Sequence, residues 1–282
     1  MIEVVRPGPL ATVQDLGRPG HAHLGVPCSG AADGRAFRLA NRLVGNPESA
    51  AGVEFTVGGG ALRFRRPAWV AVTGAPLPVR IDGRACGMNA PCRVSVGGLL
   101  ELGHPRFGLR SYLAVRGGIT VDEVLGSRAT DLLSGLGPAP LAEGDRLPVG
   151  PTAGLEDILV DAAPVVPLPE VPILRITPGP RDDWFTGEAL TSLTSATFEV
   201  SPESNRVGVR LTGPRLERAR EGELSSEGMV TGALQVPPSG LPIIFLADHP
   251  TTGGYPVVAV LASADVPMAA QLRPGQRIRF RA

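Results

Sequence analysis

The sequence predicts a mainly β protein made of two β-barrel halves with a few short helices, and three observations carry that expectation. Short segments rich in Val, Ile, Leu and Phe, at 68–73, 93–96, 112–115 and 173–176, are separated by Gly- and Pro-bearing turns. Their spacing of about eight to twelve residues is the rhythm of an all-β chain. Stretches with helical periodicity are few and short. The two halves of the chain also open and close alike.

Taken in order, a short apolar strand at 3–5 leads into Pro7-Gly8-Pro9, and the polar, glycine-studded segment from Thr12 to Gly20 follows. The clearest helix is predicted over 34–43, where Ala36, Phe37, Leu39, Ala40 and Leu43 share one face. Asp33 is placed to cap its start, and Gly45 lies just past its end. Leu141, Gly144 and Arg146 then lead into a closing apolar strand. Prolines at 148, 151, 164, 167, 169 and 172, with little periodicity between them, mark a linker. Beyond it, the strand at 173–176 again runs into a Pro-Gly-Pro turn, Pro178-Gly179-Pro180. A second, shorter helix near 182–190 carries Trp184 and Phe185, and Leu272, Gly275 and Arg277 repeat the spacing that closed the first half. The expected organisation is a larger first barrel over 1–150, a Pro-rich linker over 151–171 and a smaller second barrel over 172–282. Loops from both barrels are expected to line one cleft.

Composition excludes several function classes. All 27 basic residues are arginine, so the chain cannot carry biotin or lipoate on an amide, form a Schiff base with pyridoxal phosphate, or present a Walker A lysine. They balance 27 acidic residues without a long basic block, which argues against nucleic-acid and membrane-surface partners. No apolar run approaches a bilayer span and no secretory signal is visible, so a cytoplasmic protein is expected. Cys28, Cys86 and Cys92 are odd in number and form no C-x-x-C, which predicts reduced thiols rather than disulfides or a zinc ribbon.

The chemistry-bearing residues cluster in two loops. Gln14, Asp15, Arg18 and, further on, Ser29 form the first set. Asn205, Arg206, Glu227, Asp248, Thr251, Thr252, Gly253, Gly254 and Tyr255 form the second. Arginine forks suit a carboxylate, so Arg18 and Arg206 are expected to hold substrate. Asp248, Glu227 and Asp15 are the candidate proton movers, and the hydroxyls and the Gly253-Gly254 amides can stabilise oxyanion charge. His21 and His23 would face one side of a strand, yet no third ligand accompanies them, so no metal is expected. Cys28 is a nucleophile only if a histidine folds beside it, and otherwise inert. No G-x-S-x-G, H-E-x-x-H or strand-to-helix G-x-G-x-x-G is present.

Many of these residues fall within a longer series: Thr12-Val13-Gln14-Asp15-Leu16-Gly17-Arg18, Gly25-Val26-Pro27, Ser29-Gly30-Ala31, Ala40-Asn41-Arg42-Leu43-Val44-Gly45-Asn46, Leu125-Gly126-Ser127-Arg128, Ser204-Asn205-Arg206, Ser226-Glu227-Gly228, Gln235-Val236-Pro237 and Thr251-Thr252-Gly253-Gly254-Tyr255-Pro256. In this order the series resembles the biotin-dependent carboxyltransferase family, also called allophanate hydrolase subunit 2, whose members include the C subunit of bacterial 5-oxoprolinase and the regulator KipA. The resemblance spans nearly the whole chain. It departs from the pattern at Pro250, which stands where the family often has glutamine after Asp-x, with His249 before it.

The resemblance implies two cyclophilin-like β-barrel domains and a partner, a first-subunit homologue related to KipI or to the B subunit of 5-oxoprolinase, joined in 5-oxoprolinases by an A subunit. For a free-standing member it implies ATP-dependent hydrolysis of 5-oxo-L-proline to L-glutamate. This chain would then be the C subunit of a heteromeric enzyme, inactive alone, with ATP as co-substrate of the complex. Two alternatives stay open. One is the carboxyltransferase component of a urea or amide carboxylase, or an allophanate hydrolase subunit 2, using biotin carried on another protein. The other is a non-catalytic, KipA-like binder of a kinase inhibitor.

Overall fold

In a computed structural model, which describes residues 1–165, 167–222 and 224–282, the chain is mainly β and forms two compact units. The first comprises Met1–Arg18, Ser29–Asp131 and Gly135–Pro167. The second comprises Pro19–Cys28, Leu132–Ser134 and Leu168–Ala282, so two short pieces of the first half belong by contact to the second unit.

The first unit is built from two antiparallel sheets around one core. One sheet orders the strands Arg146–Leu147, Ile2–Arg6, Ala61–Phe64, Leu99–Leu102, Val79–Ile81 and Arg84–Cys86. The other orders Leu10–Gln14, Gly52–Thr56, Arg110–Val115, Ala68–Gly74 and Pro91–Val94. Ile2, Val4, Val13, Phe55, Leu62, Phe64, Val72, Leu100 and Leu113 are among the residues that fill the core. The strand Arg110–Val115 is buried along its whole length because both its faces are covered. Leu113 and Val115 point into the core, while Tyr112 and Ala114 meet Phe37, Ala40 and Leu43 of the helix Gly34–Leu43. The period of two along the strand thus meets the period of 3.6 along the helix. Asp33 caps that helix as expected, its carboxylate accepting from the Ala36 amide at 2.9 Å, and Tyr112 accepts from the Asp33 amide at 2.8 Å.

The second unit closes a seven-stranded barrel in the order Ile173–Pro178, Val257–Leu261, Ala233–Gln235, Ile243–Phe245, Gly208–Thr212, Thr197–Val200 and Arg277–Arg281. The last strand returns to the first by a parallel pairing, and closure leaves no open sheet edge. Alternation is strict in Arg277–Arg281, where Ile278 and Phe280 are buried between three exposed arginines and Phe280 meets Phe198.

Three expectations are corrected. Cys86 and Cys92 are joined in a disulfide rather than reduced. They sit on strands of different sheets of the first unit, so their approach follows from sheet packing and is invisible to a cysteine count. The helix expected near 182–190 is a 3₁₀ turn, Asp182–Trp184, followed by the helix Gly187–Ser195. Thr186 is extended and its hydroxyl caps the Ala189 amide, which starts the helix later. His21 stands at the start of a 3₁₀ helix, Ala22–Leu24, and His23 lies within it, so the two are not alternate residues of a strand and the geometry assumed for a metal pair is not formed.

Within the expected linker the described residues form no strand or helix, and Val166 lies outside them. Asn89 holds this segment to the first unit, its carbonyl accepting from the Ala163 amide and its side-chain amide donating to the Pro164 carbonyl. Among the described residues no helix is long and apolar enough to cross a membrane.

Candidate functional site

In the first unit, the end of the strand Leu10–Gln14 and the loop after it bring three expected residues onto one short stretch of backbone. Gln14 donates its side-chain amide to the Thr130 carbonyl at 3.0 Å and to the Thr12 hydroxyl at 3.0 Å. Ser29 donates to the same Thr130 carbonyl at 3.1 Å. The Arg18 guanidinium donates through Nη2 to the Ala129 carbonyl and through Nε to the Val124 carbonyl at 3.3 Å. Ser29 itself has a φ of 54°, in the left-handed region that non-glycine residues seldom occupy. The following Gly30 is needed because a Cβ there would lie 2.7 Å from the Gly17 amide nitrogen.

Asp15 holds this loop system in place. Its Oδ1 accepts from the Gly17 amide at 2.8 Å and the Ser127 hydroxyl at 2.6 Å, and its Oδ2 accepts from the Arg128 amide at 2.6 Å. Three hydrogen bonds to one carboxylate tie 15–17 to 127–128.

Around this anchor, three buried polar atoms have no hydrogen-bond partner among the described residues: Gln14 Oε1, Arg18 Nη1 and Thr130 Oγ1. They are an acceptor, a cationic donor and a hydroxyl that does either. Arg18 is only 1% exposed, and its hydrogen bonds through Nε and Nη2 reach carbonyl oxygens but no carboxylate.

The second unit is arranged differently. Arg206, also 1% exposed, is clasped by Asp248, which is fully buried; Nε lies 2.9 Å from Oδ2 and Nη2 lies 3.0 Å from Oδ1. Oδ2 also accepts from the Leu132 amide at 3.1 Å. Next to it, the His249 ring stacks on Phe245 with centroids 5.7 Å apart. Its Nδ1 is 2.7 Å from the Pro250 carbonyl, so Nδ1 carries a proton. Burial holds the His249 pKa below its ordinary value, opposed by that hydrogen bond and by Asp248, so the neutral ring with an Nε2 lone pair is favoured.

Glu227 pairs with Gly253 in a two-stranded ribbon formed by Glu227–Gly228 and Thr252–Gly253. Its carboxylate binds the Arg181 guanidinium, which lowers its pKa. Gly253 is flush against Gln235, where a Cβ would lie 2.5 Å from the side-chain nitrogen, and that nitrogen donates to the Tyr255 carbonyl at 3.1 Å. The Thr251 carbonyl accepts from the Met229 amide, the Thr252 side chain is exposed, Gly254 lies against the Leu224 carbonyl, and the Tyr255 ring is partly exposed. Asn205 shapes its own turn, its side-chain oxygen accepting from the Val207 and Gly208 amides.

In the first unit the expected residues Gln14, Arg18 and Ser29 meet on the 129–130 backbone; in the second, Arg206 pairs with Asp248, and Glu227 joins the 251–254 ribbon. Thr130, Ser127, Arg181 and Gln235 belong to these groups and were absent from the expected set. Ser127 and Gln235 lay in the motifs that carry the family resemblance, whereas Thr130 and Arg181 had no such signal. Cys28 is exposed and outside any disulfide. Among the described residues no group of three His, Cys, Asp or Glu is placed to hold a metal ion.

The model of the carboxyltransferase domain, subdomain A and B, matches residues 24–282. The chain is 39% identical over 283 residues to the 5-oxoprolinase C subunit of Escherichia coli, covering 99% of this chain and 90% of that one. It is 34% identical over 285 residues to the protein of the same name from Haemophilus influenzae, covering 100% and 91%. A urea amidolyase of Saccharomyces cerevisiae is 33% identical over 301 residues, which cover 99% of this chain but 16% of that enzyme. Among solved structures, TTHA0988 superposes with a TM-score of 0.90 at 38% identity, covering all of this chain, 100%, and 55% of that one. The Kluyveromyces lactis urea amidolyase superposes with a TM-score of 0.91 at 32% identity, covering 99% and 18%.

Proposed function

The chain belongs to the family of carboxyltransferase domains composed of subdomains A and B, and from that premise we propose that it acts as the C subunit of a heteromeric 5-oxoprolinase. In this reading it works with the A and B subunits, and 5-oxo-L-proline is opened to L-glutamate at the expense of ATP. The full-length similarity to proteins named as C subunits of 5-oxoprolinase supports it.

The observation that carries the site is the buried Arg18 guanidinium with Nη1 unengaged, held on the same 129–130 stretch where Gln14 Oε1 and Thr130 Oγ1 are also unengaged. A buried cation without a carboxylate is costly until an anionic or strongly polar partner meets it. A lactam supplies what these atoms need: its N–H suits Gln14 Oε1, and its carbonyl or the ring carboxylate suits Arg18 Nη1. Water adds to the carbonyl carbon, the C–N bond breaks, and the ring nitrogen takes up a proton to become the amine of glutamate. ATP activates the carbonyl for that addition: its γ-phosphoryl group passes to the carbonyl oxygen with release of ADP and leaves as phosphate when the glutamate carboxylate forms. Arg18, held by two carbonyls, stabilises negative charge that develops on the oxygen. Asp15 and Asp248 act as positioning residues, since hydrogen bonds and an ion pair engage their carboxylates, and Glu227 is held by Arg181.

The similarity to urea amidolyases favours one second reading, carboxyl transfer to urea or another amide. The same donor and acceptor pair fits an amide there. Because the chain has no lysine, biotin would arrive on another protein.

The test is to purify the chain with its first-subunit homologue and the A subunit, then to follow glutamate from 5-oxoproline with and without ATP. ATP-dependent glutamate that disappears when this chain is omitted is the expected result. A stable complex that forms no glutamate overturns the reading and leaves carboxyl transfer or regulation.

A further inference from the structure

A groove of about 550 Å³ on the first unit contains none of the residues discussed above as site candidates. Its charged side chains are Arg66, Arg93 and Arg116, and no Asp or Glu lines it. The β-ladder creates this arrangement. Trp69, at the start of the strand Ala68–Gly74, lies directly opposite Arg93 on the strand Pro91–Val94. On its other side, its carbonyl accepts from the Arg116 amide, where the strand Arg110–Val115 has just ended. Residues directly opposite in a ladder present their side chains on one face, so arginine, tryptophan and arginine form a row across three strands. The neighbouring Val70 is in the core, so the alternation turns Trp69 outward, and it is 39% exposed.

These arginines differ from their sequence neighbours. Arg65 pairs with Glu3, and Arg63 donates to the Gly97 carbonyl. Arg116 is tethered to the Val44 and Leu155 carbonyls, which fixes its position without neutralising it. Arg66 and Arg93 have no ion pair or side-chain hydrogen bond among the described residues. Like charges gathered in a concave site raise one another's energy and focus a positive potential, which an anion relieves. The volume lies in the range of small-molecule sites.

We propose that this groove binds a small phosphate-bearing ligand with a planar ring, of the nucleoside polyphosphate class. Arg66, Arg93 and Arg116 meet the phosphates, and the indole of Trp69 supports the ring. The site is independent of the proposed lactam reaction, and its test needs no turnover.

The experiment is calorimetric titration of the isolated full-length chain at low salt with ATP, ADP, tripolyphosphate and adenosine. Trp69 fluorescence is followed in parallel, and a Trp184→Phe background isolates its signal. Saturable binding of ATP and tripolyphosphate is expected, with adenosine much weaker. Arg66→Ala with Arg93→Ala should weaken ATP tenfold or more, whereas Arg279→Ala on the second barrel should leave it unchanged. Trp69→Leu should weaken ATP but not tripolyphosphate, and raising the salt should weaken both. The proposal is overturned if none of the phosphates saturates by about 1 mM, a weak-binding limit. It is equally overturned if the double arginine variant, with an unchanged melting temperature, binds ATP as the parent does, or if adenosine binds as tightly as ATP.

Discussion

Arg18 and Arg206 are equally hidden, each 1% exposed, and they illustrate opposite uses of a buried guanidinium. Arg206 faces a carboxylate in a two-point clasp, and the chain supplies its counter-charge. Arg18 faces carbonyl oxygens and keeps a donor unengaged. The first arrangement completes itself on folding and so organises structure. In the proposed function the second is completed by the substrate. A sequence that shows two arginines in polar loops does not distinguish these roles, because the difference lies in whether a carboxylate arrives from elsewhere in the chain.

The largest effect should come from breaking the clasp. Asp248→Ala strands the Arg206 charge, and chemical denaturation should show a loss of about 3–5 kcal/mol. Adding Arg206→Met should restore much of it, and a double variant no more stable than Asp248→Ala would deny the pairing its structural role. Arg18→Met should do the reverse. We expect glutamate formation by the complex to fall roughly 10²–10³-fold, as for loss of one oxyanion donor, while stability falls less than in Asp248→Ala. If both arginine sites prove equally destabilising with catalysis intact, the distinction between them collapses.

A smaller effect tests the duplicated turns. A Cβ on Gly8 would lie 2.2 Å from the Gly58 carbonyl oxygen, and one on Gly179 would lie 2.3 Å from the Val257 oxygen. Gly8→Ala and Gly179→Ala should each cost about 1–3 kcal/mol as overpacking, whereas Gly228→Ala, with open space around it, should cost less. Denaturation midpoints of the three variants check that order.

The smallest effect concerns pH. Because burial depresses the folded pKa of His249, the unfolded chain takes up that proton first as pH falls below the ordinary value of 6.5. Stability should therefore decline on acidification below that point, and His249→Gln should flatten the decline in denaturation midpoints measured between neutral and mildly acidic pH. An unchanged slope would show that the imidazole is not held neutral by its burial beside the clasp.

The paired ends of the two halves show how far local chemistry is legible. Asp145 accepts from the Ala142 amide at 2.8 Å, and Gln276 accepts from the Arg273 amide at 3.2 Å. Gly144 and Gly275 both have positive φ, at 88° and 79°. The same spacing thus folds into the same turn. Yet the strand after the first turn pairs antiparallel with the opening strand of its unit, while the strand after the second pairs parallel with its own. Similarly, the helix at 34–43 is readable from Asp33 and an apolar face, whereas the one starting at Gly187 lies later than expected because its cap, Thr186, is set by an extended backbone rather than by an apolar pattern.

What the sequence by itself determined is what neighbours along the chain decide. That includes the alternation of buried and exposed residues in strands, the Pro-Gly-Pro and glycine turns, the Asp33 cap, the absence of lysine chemistry and, through motifs in order, the family. Only the tertiary structure decided which carboxylate reaches which arginine, that Cys86 meets Cys92, and that Gln14, Arg18 and Ser29 converge on the backbone at 129–130. These partners are brought together by sheet pairing and core packing, and their charge, burial and hydrogen bonds depend on a proximity that local propensity does not encode.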